Sequence, residues 1–141
     1  MVVLAIVGIM ASLVVGMLRP DPARAVEAEA WRLARLAERL GREAALSGQV
    51  LALRWTPSGY EFLRRGDRGD WTPLAADGVF DRRRFEPGLR LADSGEARFT
   101  PDGEIEPRRW WLSADSVDLT ISLDALGEAT VARREGAGAS R

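Results

Sequence analysis

Residues 1–18, MVVLAIVGIMASLVVGML, constrain this chain more than any other stretch: they carry no charge, and Arg19 and Pro20 end the run. A helix rises about 1.5 Å per residue, so such a run reaches roughly 27 Å, close to the hydrocarbon thickness of a bilayer at about 30 Å. Val2, Val3, Leu4, Ile6, Val7, Ile9, Leu13, Val14, Val15 and Leu18 supply its apolar surface. Together they favour insertion by on the order of 3 to 6 kcal/mol. A membrane helix over 1–18 is therefore the expectation. The competing reading is a cleaved signal peptide, because Ala23, Arg24 and Ala25 resemble a small-residue cleavage site. Against it, no Lys or Arg precedes the run, the run exceeds the usual 7–15 residues or so, and prolines and charges crowd the site.

The remainder has room for one compact domain, since the whole chain is 141 residues long. Its formal charge is −1, so no global field argues for nucleic acid or for anionic lipid. There is no cysteine and no histidine. That removes disulfides, thiol nucleophiles, thiolate or imidazole metal sites and the Ser-His-Asp constellation. The lack of cysteine leaves the compartment open, because exported proteins also do without disulfides.

Beyond the apolar run, Val26, Ala30, Leu33, Ala37, Leu40 and Ala44 recur at spacings of four and three, with Trp31 and Leu36 widening the stripe. This predicts an amphipathic helix over 19–47 with those six residues as its packing face. Glu27, Arg32, Arg35, Glu38, Arg39, Arg42 and Glu43 form the opposite, solvated face, with Glu38 placed to pair with Arg42. Asp21 and Pro22 suit a helix start, whereas Pro20 and Pro22 equally suit a kink in one long helix, and Gly48 suits a stop.

From Gly48 onward the pattern shifts to short apolar or alternating runs between turns, which predicts a β-module over 48–134. Strands are expected at 49–55, 60–63, 71–74, 89–92, 97–100, 109–113, 117–123 and 129–133. Val117, Leu119, Ile121 and Leu123 alternate with polar residues, so that strand buries one face only. A two-sheet antiparallel architecture follows, and the Gly- and Ala-rich residues 135–141 are expected to be a disordered tail.

This layout, an apolar helix with an amphipathic extension and a small β-module, resembles the type IV pilin-like proteins. The likeness is carried by MVVLAIVGIMASLVV, by WRLARLAERLGREAALSGQVLALRW, by GYEFLRRGDRGDWTPL and by RFTPDGEIEP. In that order they are similar to the GspH/FimT family, the H-type minor pseudopilins of type II secretion and their pilus relatives. The resemblance implies an α+β pilin-like fold and a non-enzymatic assembly subunit without cofactor or metal. It implies an inner-membrane helix, a periplasmic β-module, and as partners the major pseudopilin G and the minor pseudopilins I, J and K. It implies neither a small-molecule substrate nor nucleic acid as a partner. The family's prepilin peptidase motif and assembly glutamate match no residue here, so the expectation is that they are encoded upstream of Met1. A FimT-like pilus subunit for DNA uptake is the alternative, and a soluble periplasmic module released after Ala25 is a third reading.

Several local features compete for a role. Arg65, Gly66, Asp67, Arg68, Gly69 and Asp70 contain an RGD tripeptide and two carboxylates, but lack the oxygen count and spacing calcium needs, so a plain hairpin loop is expected. Asp102, Glu104 and Glu106 read as solvated positions beside a turn. Asp81, Arg82, Arg83 and Arg84 form a short basic run, and Arg82–Arg84 or the Arg133, Arg134 pair is the DNA contact expected under the alternative reading. Trp110 and Trp111 are adjacent and must point to opposite faces of a strand, one into the core and one available as a partner contact. Trp31, Trp55 and Trp71 are expected in the core.

Overall fold

The computed structural model describes residues 22–74, 78–115 and 117–134. The expected membrane residues, the junction at Pro20 and Asp21 and the expected tail lie outside them. Among the described residues no helix is long and apolar enough to cross a membrane.

Helix α1 spans Pro22–Ser47. Its Ala, Leu, Arg and Glu content favours helix, and its amphipathicity decides which face is covered. Val26, Ala30, Leu33, Ala37, Leu40 and Ala44 are each at most 1% exposed. Larger residues at 26, 33 and 40 alternate with alanines at 30, 37 and 44, so strands approach closely over the alanines while the longer side chains insert between them. Gly48, at φ 69°, ends the helix and donates its N–H to the Ala44 carbonyl at 3.1 Å. A left-handed residue here satisfies a carbonyl the last turn leaves open, and glycine adopts that conformation without a Cβ clash.

Among the described residues nine strands form two antiparallel sheets. The first holds β1 (Leu51–Thr56), β2 (Gly59–Arg65), β3 (Trp71–Pro73), β4 (Arg83–Arg84) and β6 (Gly95–Phe99), in the order β3-β2-β1-β6 with β4 also on β2. The second holds β5 (Leu89–Leu91), β7 (Arg108–Ala114), β8 (Val117–Leu123) and β9 (Ala129–Arg133), in the order β5-β7-β8-β9. Helix α1 lies on β8, β9 and β7 and also reaches β1 and β6, so one helix closes the core against both sheets. The sheets meet at Trp55 and Trp110, whose rings pack edge to face with centroids 5.5 Å apart.

In the fold itself the structure departs from the sequence expectations at β4, Trp31 and Trp71. Strand β4 falls in the basic run, where no apolar alternation marks a strand; it exists because β2 presents Gly59, where a Cβ would lie 2.1 Å from the Arg83 carbonyl oxygen. Trp31 is 40% exposed rather than buried, since it lies roughly 120° round the helix from the alanines that face the sheets. Trp71 is only half-buried, on the outer side of β3, with the Arg98 guanidinium 5.5 Å from its ring centroid.

Candidate functional site

The helix is fixed to the β-module by polar contacts as well as by its apolar face. Glu29, one position before Ala30 on the margin of that face, is buried. Its carboxylate accepts two hydrogen bonds from the Arg83 guanidinium, Nε to Oε1 and Nη2 to Oε2, each 2.7 Å. The Tyr60 hydroxyl donates to Glu29 Oε1 at 3.4 Å. Burial, followed by the neighbouring Glu29 charge, pushes the Tyr60 phenol well above its ordinary range, and the hydrogen bond to Glu29 raises Arg83. Further along α1, Glu38 Oε1 accepts the Ala129 amide of β9 at 2.8 Å. Glu38 is thus directed to the second sheet rather than to Arg42, the partner its spacing suggested.

The outer face of the first sheet carries a cross-strand charge ladder. The register places Glu61, Arg54 and Glu96 side by side on β2, β1 and β6. Arg54 Nη2 lies 2.9 Å from Glu96 Oε2, and Arg98 Nε lies 3.0 Å from Glu96 Oε1. The Arg98 and Arg54 bonds together hold the Glu96 carboxyl below its usual range. In the turn after β6, Asp102 accepts the Thr100 hydroxyl and the Glu104 amide, which lowers its carboxyl too. All four shifts move a group away from neutrality. None creates the near-neutral acid or base that proton-transfer catalysis favours, and among the described residues no cluster of three acidic groups is placed to hold a metal.

Among the described residues, one helix is clamped by its apolar stripe and two carboxylates onto paired antiparallel sheets. Two solved structures of the minor pseudopilin EpsH from the type 2 secretion system of Vibrio cholerae share it, with TM-scores of 0.67 and 0.70. They are 18% and 16% identical to this chain, cover 77% and 82% of it, and are matched over 96% and 99% of their own length. The chain has the minor-pseudopilin fold. No protein-family model and no curated protein matches its sequence.

On that fold the sequence-derived candidates separate clearly. The six helix residues from Val26 to Ala44 are consumed by the chain's own core. Trp110 is fully buried, whereas Trp111 is 38% exposed on the outer side of the second sheet, the position open to a partner. The basic run is divided: Arg83 turns inward to Glu29, while Arg82 and Arg84 stay exposed beside a cleft of about 450 Å³ that they share with Arg54. The RGD segment closes on itself through Gly66 N–H to the Asp70 carbonyl at 2.7 Å. Sequence reasoning missed Glu29 and the roles of Glu38 and Arg54. Only the position of Glu29 beside the apolar stripe hinted at burial, because its partner lies 54 residues away.

Proposed function

We propose that this chain is a non-enzymatic minor pseudopilin of a type II secretion system, an assembly subunit near the pseudopilus tip that supports export of folded proteins across the outer membrane. The observation that carries the reading is the match of the fold to EpsH over 99% of that chain at a TM-score of 0.70. The apolar residues 1–18 immediately before α1 support a single inner-membrane anchor with the β-module in the periplasm. On this reading the major pseudopilin G and the minor pseudopilins I, J and K are its neighbours.

The test is genetic and biochemical. Deleting the gene in its own host is expected to abolish export of type II cargo, and the wild-type gene to restore it. Leu13→Arg places a charge in the proposed anchor, at a cost of about 2.5–3.5 kcal/mol near a helix centre. It is expected to remove the protein from the inner-membrane pellet and to fail in complementation. Undiminished export in the deletion strain would overturn the reading. The DNA-uptake alternative has less support, because Glu29 withdraws the central arginine of the basic run that it would use.

A further inference from the structure

Glu29 draws Arg83 inward, and alternation along the extended chain then directs Arg82 and Arg84 to the opposite side. Their Cα atoms stand two residues apart, roughly 6.5–7 Å in an extended segment. Both residues are exposed, and among the described residues neither takes part in an ion pair. Together with Arg54, Thr56, Ser58 and Glu61 they line the cleft of about 450 Å³ beside β4. Arg54 is already offset there, with Glu96 at 2.9 Å and Glu61 at 3.9 Å. Asp81 and Glu86 flank the run in the chain but do not line the cleft. Its uncompensated charge is therefore that of Arg82 and Arg84.

This pair is set among hydrogen-bonding groups of both kinds. The Thr56 and Ser58 hydroxyls lie 3.1 Å apart. Phe85 N–H donates to the Ser58 carbonyl at 2.8 Å, so the backbone of Arg84, one residue back, faces away from β2 and, among the described residues, meets no other strand. Two guanidiniums at this spacing match two carboxylates at alternate positions of an extended peptide, which lie on one side at the same separation. Such a peptide also brings N–H groups for Glu61 and the hydroxyls to accept. A phosphate backbone brings acceptors alone, sets like charge against Glu61, and finds two free guanidiniums where about 6–10 phosphate contacts are usual for a DNA-binding protein. The chain does not supply the peptide itself. Among the described residues, alternating carboxylates outside the helix occur at Asp102, Glu104 and Glu106. Asp102 is held by the Thr100 hydroxyl and the Glu104 amide, and Glu106 lies 3.5 Å from Arg108.

We propose that the cleft beside β4 binds an extended acidic segment of a neighbouring, different pseudopilin, with Arg82 and Arg84 each meeting one of two alternate carboxylates. The proposal rests on the assembly reading above and adds to it the surface and the chemistry of the contact. It is tested on the full chain in cells of its own host, with the photocrosslinking residue p-benzoylphenylalanine in place of Ser58 or, separately, Thr56. The crosslink is expected to join the chain to pseudopilin G, I, J or K, at a segment with carboxylates at alternate positions. Arg82→Glu with Arg84→Glu is expected to lower the crosslinked yield at least about tenfold, because like charges then face each other. Arg82→Gln with Arg84→Gln is expected to lower it as well, circular dichroism confirming that both variants fold. Replacing the two mapped carboxylates by lysine is expected to restore the yield with the Arg82→Glu, Arg84→Glu chain. Arg109→Glu, at an exposed position on the second sheet, is expected to leave it unchanged. No crosslink to any of the four, a mapped segment without the carboxylate pair, a crosslink to a second copy, yield that survives both folded variants, or lysines that restore nothing would each overturn the proposal. So would Arg82- and Arg84-dependent binding of a random-sequence DNA duplex by a chain that makes no such crosslink, which would assign the cleft to nucleic acid. Cargo export is scored separately in the deletion strain, so a chain that supports export without this crosslink overturns the contact and leaves the pseudopilin reading standing.

Discussion

Glu29 shows how much one side chain can redirect a sequence reading. A carboxylate removed from water needs its charge compensated, and Arg83 does so through two short, parallel hydrogen bonds. Arg83→Ala is expected to destabilise the fold by about 1–2 kcal/mol in urea unfolding, below the roughly 3–5 kcal/mol of a fully enclosed pair. The discount follows from the Arg83 side chain, which is 36% exposed. Replacing both partners, Glu29→Met with Arg83→Met, is expected to cost less than Arg83→Ala alone, since no charge is then left stranded. Tyr60 adds a pH signature. Its phenol is raised in the folded state, so the unfolded chain loses that proton first as pH climbs past 10.0, the ordinary tyrosine value. The contribution of Tyr60 is thus complete below that pH and is lost above it. Tyr60→Phe is expected to flatten the alkaline fall in stability measured by pH-dependent unfolding.

At the scale of elements, most of the architecture follows from periodicity. The stripe from Val26 to Ala44 specifies the helix, and the alternation from Val117 to Leu123 specifies a half-buried strand whose apolar positions Leu119, Ile121 and Leu123 are buried. Strand β4 is different in kind. Arg83 and Arg84 have no intrinsic pattern of a strand, and they pair because Gly59 leaves room for their backbone. Gly59→Ala is expected to push β4 off β2 and to loosen the Glu29–Arg83 pair, with a loss of about 1–3 kcal/mol from overpacking. Faster amide exchange at residues 83–85 would report it, and unchanged protection there would contradict this account.

At the scale of the whole molecule, α1 is a structural part of the β-module rather than an appendage to it. Leu40 is fully buried, in a core cluster that includes Leu53 and Phe99 of the first sheet and Leu123 of the second. Leu40→Ala is expected to cost about 2–5 kcal/mol through lost burial and the cavity left behind. The loss is expected as a lower midpoint for one cooperative transition, seen alike by helix ellipticity and by tryptophan fluorescence. Separate transitions for helix and sheets would show that the two parts fold independently.

The sequence alone determined the parts that depend on near neighbours: the amphipathic helix with its stop at Gly48, the alternating strands, the turns, and the opposition of Trp110 and Trp111. These are read within a few residues, where the periods of 3.6 and 2 operate. Only the tertiary structure decided which charges are compensated within the chain and which are left facing outward. Glu29 meets Arg83, Glu38 meets Ala129 and Arg54 meets Glu96 across separations of 54, 91 and 42 residues. Local spacing carries no record of such pairings, because they arise where the chain returns to itself. The solvated face of α1 shows the same: by its spacing Glu38 belongs with Arg42, and only the folded chain gives it the Ala129 amide instead.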